Sequence, residues 1–254
     1  MTAWLEHPLT RGLDLDDPAT TVLRRRIIRE KPFLNRLYRE WYAALVRALP
    51  PGEGAVLELG SGAGFLSEFV PGLITSEVFP CPDIRAVIDG GALPFRDASL
   101  RAIVMTDVFH HLPDPVRFLD EAARTVRPGG RVVMIEPWVT PWSRFVYGRF
   151  HHEPFQPDAD EWSIAMSGPL SGANGALPWI VFARDRQRFL REHPEWVIRA
   201  IDLQMPFRYL VSGGVSLRSL SPGWSFGLWR GVERLVGPWM AQWAMFATIV
   251  IERQ

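Results

Sequence analysis

The stretch VLELGSGAGFLSE, Val56 to Glu68, decides the fold. A short apolar run carries one acid, Glu58, and then glycine takes every second position: Gly60, Gly62 and Gly64. Glycine permits positive φ and lets a backbone approach a ligand closely. A strand, a glycine turn and the start of a helix make a pocket at the carboxyl edge of a parallel sheet. A dinucleotide fingerprint needs glycine three residues after Gly62, where Phe65 stands instead. The G-x-G-x-G spacing behind Glu58 suits a ligand with an amino-acid end and no pyrophosphate. The acid can receive an ammonium group and the turn can face a ribose. A tight turn without a ligand is the plainer alternative at this point.

On either side of this stretch the pattern changes. Upstream, DDPATTVLRRRIIRE reads as a helix start, with Asp17 as N-cap and Pro18 in the first turn. Pro32 interrupts it, and a second helix is expected over Phe33–Leu49 with Leu34, Leu37, Trp41 and Leu45 on one stripe. Residues 1–50 therefore read as a helical extension to a domain over 51–254. Downstream, short apolar runs alternate with helical segments, the signature of βαβ units and a parallel sheet. Strands are expected near Ala55–Leu59, Leu73–Val78, Ala86–Asp89, Ala102–Thr106, Arg131–Ile135, Trp196–Leu203 and Met245–Glu252. Helices are expected near Gly64–Phe69, Pro115–Val126 and Asp185–Glu192, the second closed by glycine in RPGG.

Composition narrows the function classes. The chain has 254 residues with 28 basic and 28 acidic side chains, so no global basic field points to nucleic acid. Cys81 is the single cysteine, which excludes an internal disulfide and a cysteine-built zinc site. The N-terminus MTAWLEHPLTRG lacks the pattern of a secretory signal, so a cytoplasmic location is the default expectation.

The segment VIDGGALPFRDASLRAIVMTDVFHHLPDPVRFLDEAARTVRPGGRVVMIEPW follows the glycines at a fitting distance. With LELGSGAG it resembles the class I S-adenosylmethionine-dependent methyltransferases, in particular the small-molecule branch that includes the ubiquinone and menaquinone methyltransferases. The resemblance spans Ala55 to Trp138. It implies an α/β fold: a Rossmann-like, mostly parallel seven-stranded sheet, here with an N-terminal helical extension and C-terminal insertions. It implies S-adenosylmethionine as cofactor and S-adenosylhomocysteine as product. Glu58, Gly60, Ser61, Gly62 and Gly64 would line the methionine and ribose end. Glu77 would accept from the ribose hydroxyls, and Asp89 with the backbone of Gly90, Gly91 and Ala92 would hold the adenine edge. Asp107 and Val108 would lie under the cofactor, and His110 would face the reacting centre as a base, with His111 structural. The family places a helix between its second and third strands, whereas only FPCPDI stands here. One face of the sheet then needs another cover, from the N-terminal helices or the late insertion.

Two segments are left for the methyl acceptor, residues 137–178 and 205–243, both rich in Trp and Phe. Arg208 and Tyr209, with the SGG turn after them, could orient a polar head of an apolar, amphipathic or lipid-linked small molecule. His151, His152 and Glu153 are set aside as a metal site, because adjacent histidines diverge, and are read as pocket wall; no metal is expected. Trp224, Leu228, Val232 and Leu235 fall on one helical stripe. That stripe allows peripheral membrane contact, but an amphipathic helix packed on the sheet is the simpler reading. A cofactor-binding subunit without catalysis is the rival function, and the oligomeric state is left open.

Overall fold

The computed structural model describes residue 7 and residues 18–150, 153–164 and 172–254. Asp17, His151 and His152 lie outside the described residues. Seven strands form one sheet in the order β3-β2-β1-β4-β5-β7-β6. They are β1 Ala55–Leu59, β2 Ile74–Glu77, β3 Ala86–Val87, β4 Leu100–Thr106, β5 Val126–Pro137, β6 Trp196–Gln204 and β7 Phe246–Arg253. The first five run parallel, and β7 lies antiparallel between β5 and β6. The carboxyl ends of β1 and β4, neighbours at the sheet's centre, therefore open on the same edge, where open α/β sheets bind ligands.

The helices are α1 Pro18–Glu30, α2 Pro32–Ala48, α3 Pro115–Thr125, α4 Pro141–Phe150, α5 Leu177–Trp179, α6 Arg186–Glu192, α7 Arg208–Ser212, α8 Phe226–Leu235 and α9 Met240–Trp243. Alternation along the strands divides the core into two layers. On one face Leu57, Ile103, Val132 and Ile249 pack with Phe118 and Leu119 of α3 and with Phe182 and Phe189. On the other, Val56, Val104, Val133 and Val250 pack with Leu34, Leu37, Trp41 and Leu45 of α2. The link from β2 to β3 carries no helix, and α2 occupies the face so exposed.

Several local expectations are corrected. The helix expected over Gly64–Phe69 is a single 3-10 turn, Leu66–Glu68. The Tyr42 hydroxyl accepts the Phe65 amide at 3.1 Å, so a tertiary contact takes a donor that a longer helix would leave open. Glycine does not close α3: the helix ends at Thr125, and Val126 is already extended and paired with Leu100. The glycines instead serve a bulge in β5. The backbone there runs so close to β4 that a Cβ on Gly130 would lie 2.7 Å from the Arg101 carbonyl oxygen. The third correction concerns α8. The helix forms, but Trp224, Leu228 and Leu235 face outward and Phe226 and Glu233 face inward. The stripe does not pack on the sheet.

Candidate functional site

The glycine turn bounds a cavity of about 350 Å³ at the carboxyl edge of β1, β2 and β4. The turn is pegged to the sheet. The Ser61 amide donates to the Ser76 carbonyl at 2.8 Å, the Ser61 hydroxyl accepts the Ser76 amide at 3.1 Å, and the Gly64 amide closes onto the Ser61 carbonyl at 2.7 Å. Gly62 has φ +35°, and a Cβ built on it would stand 2.8 Å from Glu77 Oε1. A Cβ on Gly64 would stand 2.6 Å from the Tyr42 hydroxyl. These positions thus lack side chains because the cavity wall leaves no room for them.

Of the residues singled out from the sequence, Glu58, Gly60, Ser61, Gly62, Gly64, Glu77, Asp89, Gly90, Asp107, Val108 and Tyr209 line this cavity. Gly91 and Ala92 do not; they complete a turn in which the Gly91 amide donates to Asp89 Oδ1 at 2.8 Å and the Ala92 amide to the Asp89 carbonyl at 3.0 Å. Arg208 is also off the wall. Its guanidinium is buried between Glu233 and Glu40, and the Phe207 and Arg208 amides donate to Glu233 Oε1 at 3.1 and 2.8 Å. The expected polar-head role for Arg208 gives way to an internal ion pair that ties α2, α7 and α8 together. The SGG turn is likewise structural: Gly213 is left-handed after α7, and Gly214 accepts from Lys31 Nζ at 2.6 Å.

The two histidines exchange places relative to expectation. His110 is buried beneath the wall, whereas His111 lines the cavity. The cause is Glu136 at the end of β5. Its Oε1 accepts the Val108 and Phe109 amides at 2.9 and 2.8 Å, and its Oε2 takes His110 Nδ1 at 2.7 Å. His110 Nε2 points toward Glu153 at 3.5 Å, and His111 Nε2 lies 3.9 Å from the same carboxylate. Burial alone would lower the His110 pKa, but the carboxylates of Glu136 and Glu153 outweigh it and hold it well above the usual value. The two carboxylates thus favour its protonated form. Burial and the neighbouring His110 push His111 down to about 4, so it is neutral. His111 Nδ1 lies 3.0 Å from the Gly172 carbonyl, which can only accept. Nδ1 thus carries the proton, and Nε2 presents a lone pair.

Glu153, read from the sequence as pocket wall, does line the cavity. It also stands with His110 and His111 in a group compact enough for an ion, as do Asp107, His110 and Glu136.

The wall is acidic. Burial pushes Glu58 and Asp107 each up to about 7 and raises Glu77. Three buried carboxyls against one described arginine on the wall, Arg24, suit a cationic ligand, and the Thr106 hydroxyl on the same wall, unpartnered among the described residues, offers a further polar contact. Sequence reasoning missed the contribution of Thr21 and Arg24 on α1, Tyr38 and Tyr42 on α2, and Val215 and Ser216 after α7. No motif marks them; only the packing of the N-terminal helices over the glycine turn brings them in. One such tie is Arg25, whose guanidinium donates to the Gly62 carbonyl at 2.8 Å.

Comparison with known proteins agrees with this geometry. The family model described as a methyltransferase domain matches residues 81–134. An uncharacterized methyltransferase of Mycobacterium sp. (strain JLS) is 27% identical over 182 residues, 61% of this chain and 71% of its own. The demethylmenaquinone methyltransferase of Beutenbergia cavernae is 33% identical over 128 residues, covering 43% of this chain and 53% of that protein. Among solved structures, geranyl diphosphate C-methyltransferase from Streptomyces coelicolor A3(2), in complex with Mg2+, geranyl diphosphate and S-adenosyl-L-homocysteine, matches 99% of this chain and 91% of its own. Its TM-score is 0.51 at 15% identity, a likeness of fold.

Proposed function

We propose that this chain, a class I S-adenosylmethionine-dependent methyltransferase, methylates an apolar or amphipathic small molecule of the lipid-linked kind. The observation that carries the reading is a single cavity with buried acids at the glycine turn and an aromatic, aliphatic wall of Tyr38, Tyr209 and Val215 opposite. A quinone-type relative and a prenyl-diphosphate structural neighbour are consistent with such an acceptor.

In this reading Glu58 receives the cofactor's ammonium group, the Gly60–Gly64 turn faces its ribose, Glu77 takes the ribose hydroxyls, and Asp89 and Gly90 border the adenine. Bound cofactor supplies the methyl group and its own leaving group. The chain's tasks are then orientation, exclusion of water and handling of a proton. Methylation of an O–H, N–H or C–H acceptor releases one proton. His111 Nε2, on the wall, takes it in transit to the Glu153 carboxylate 3.9 Å away, because a histidine held at about 4 does not keep a proton at neutral pH. His110 and Glu136 are positioning residues beneath. Glu153, Tyr209, Val215 and Ser216, the described wall residues from the segments 137–178 and 205–243, supply the acceptor side of the chamber.

The test uses methyl-labelled S-adenosylmethionine with a total lipid extract. Label is expected in the organic phase. His111→Ala is expected to lower its rate by about 10²- to 10³-fold, the usual scale for a proton acceptor, with affinity for S-adenosylhomocysteine unchanged. Intact cofactor binding with no label in any lipid would return the chain to a non-catalytic, cofactor-binding subunit or to a polar acceptor.

The raised acids give a pH expectation. Below pH 7 Glu58 and Asp107 are protonated in the ligand-free chain, and a cationic ligand favours their ionised forms. Binding must therefore release protons, and affinity for S-adenosylmethionine falls as pH drops from 8 to 6. Calorimetry at pH 6.5 in buffers of different ionisation enthalpy should report a release of about one to two protons. Proton uptake, or an affinity that rises on acidification, is the contrary result.

A further inference from the structure

The outward stripe of α8 has no partner among the described residues. Trp224, Leu228 and Leu235 are 80%, 66% and 76% exposed, and Trp239, one turn on, is 57% exposed. Leu228 and Leu235, seven residues apart, share one side of the helix, and Trp224 and Trp239 stand in the 3-10 turns Gly223–Ser225 and Gly237–Trp239 that precede and follow it. The opposite side holds Phe226 and the buried Glu233, whose carboxylate meets Arg208. The helix is thus amphipathic with its polar anchor inward and its apolar side in solvent. Gly227 and Gly231 lie on the solvent side as well, with nothing near the Cβ positions, which leaves the surface free of competing side chains.

The patch continues across α9 onto α4. Trp243 packs on Trp142 at 5.4 Å, Trp142 stacks on Phe145 at 5.9 Å, and Phe145 meets Phe150 at 6.2 Å. Phe145, Phe150 and Trp243 are all exposed. The segments that carry this face, residues 141–150 and 218–243, hold five arginines and one acid, in a chain with no net charge; Arg144 and Arg230 are paired with Asp158 and Glu40 at 3.3 Å, which leaves Arg149, Arg218 and Arg234 as the cations beside the patch. The one acid of these segments is the buried Glu233. Exposed tryptophans on segments that also carry arginine are the chemistry of the membrane interface, where indoles sit at headgroup level and cations meet anionic lipids.

A second observation points inward from the same face. An apolar cavity of about 80 Å³ lies beneath it, lined by Phe150, Val146, Leu210 and Met245. Its walls also include Tyr209, Val215 and Ser216, which the main cavity shares. We propose that the face formed by α8, α9 and α4 seats on an anionic bilayer surface, and that the apolar cavity beneath Phe150 admits the acceptor from that surface to the chamber. The docking stands on the exposed face alone; the admission of the acceptor rests on the methyltransferase reading above.

The experiment is sedimentation with vesicles of phosphatidylcholine alone and of phosphatidylcholine mixed with phosphatidylglycerol. The chain is expected to partition with the mixed vesicles, and brominated phosphatidylcholine in them to quench its tryptophan fluorescence. The triple variant Trp224→Ser, Leu228→Ser, Leu235→Ser should lose about tenfold or more in partitioning, with thermal stability and affinity for S-adenosylhomocysteine unchanged. It should also lose label transfer to lipid in vesicles. Partitioning equal in the variant and the parent chain overturns the proposal, as does a dimer in solution that the triple variant dissolves. Label transfer to detergent-dispersed lipid without vesicle binding defeats docking and leaves the function standing. Vesicle binding without label in any lipid keeps the docking and defeats the function.

Discussion

Gly62→Val is expected to lower affinity for S-adenosylhomocysteine by about 100-fold or more, close to 3 kcal/mol, in a chain that still folds. Two costs act at one position. The native φ of +35° lies where a β-branched residue is an outlier. The added side chain would also start 2.8 Å from Glu77 Oε1 and project into the space the cofactor would use. Relief needs either the Glu77 carboxylate to leave the Val78 amide or the turn to shift, and Ser61 and Gly64 are fixed by backbone bonds to β2 and to each other. Strain in the turn alone would lower the melting temperature and leave affinity alone, so titration calorimetry on the folded variant separates the two costs. An unchanged dissociation constant in the folded variant would remove the glycine turn from the proposed cofactor site.

The legible parts of this site are those written in consecutive residues. Glu58 and the glycines belong to one strand and one turn, so their spacing states both the backbone path and the chemistry. The order of His110 and His111 could not be read in that way. Their directions are set by the 3-10 turn Phe109–His111, and by Asp107 at φ +63° before it, and the turn is held from outside by Glu136. The acid that turns His110 inward comes from β5, and Glu153 comes from a segment without periodic pattern.

The α8 stripe teaches a related limit. Period 3.6 identifies a helix with an apolar side, and burial of that side is the usual outcome. Here the other side carries Glu233, which accepts two α7 amides and an arginine. Turning the helix over would leave Arg208 with Glu40 alone and the Phe207 and Arg208 amides without their acceptor, a penalty of several kcal/mol that opposes burial of the stripe. Sequence periodicity holds the stripe; only the tertiary partner decides which way it faces.

Trp41→Ala is expected to lower unfolding free energy by about 3–5 kcal/mol, the range for removing a large buried aromatic, and to impair turnover as well. Trp41 is 1% exposed on α2, in the layer that covers the strand face left without crossover helices. It meets Phe246 of β7 at 5.0 Å and stacks on Tyr209 at 5.7 Å. Its indole nitrogen has no hydrogen-bond partner, so its contribution comes from packing. Trp41→Phe should therefore recover most of the loss. Tyr209 leans on Trp41 from one side and lines both cavities on the other. With the indole gone, Tyr209 can swing into the vacated space, and the wall where the cavities meet loses its shape. Urea denaturation measures the first effect, and methyl transfer at a temperature where the variant is fully folded measures the second. A loss below about 1 kcal/mol, small for a buried aromatic, would mean that α2 is a loose cover. Normal turnover in a destabilised variant would mean that Trp41 supports the sheet but not the wall formed by Tyr209.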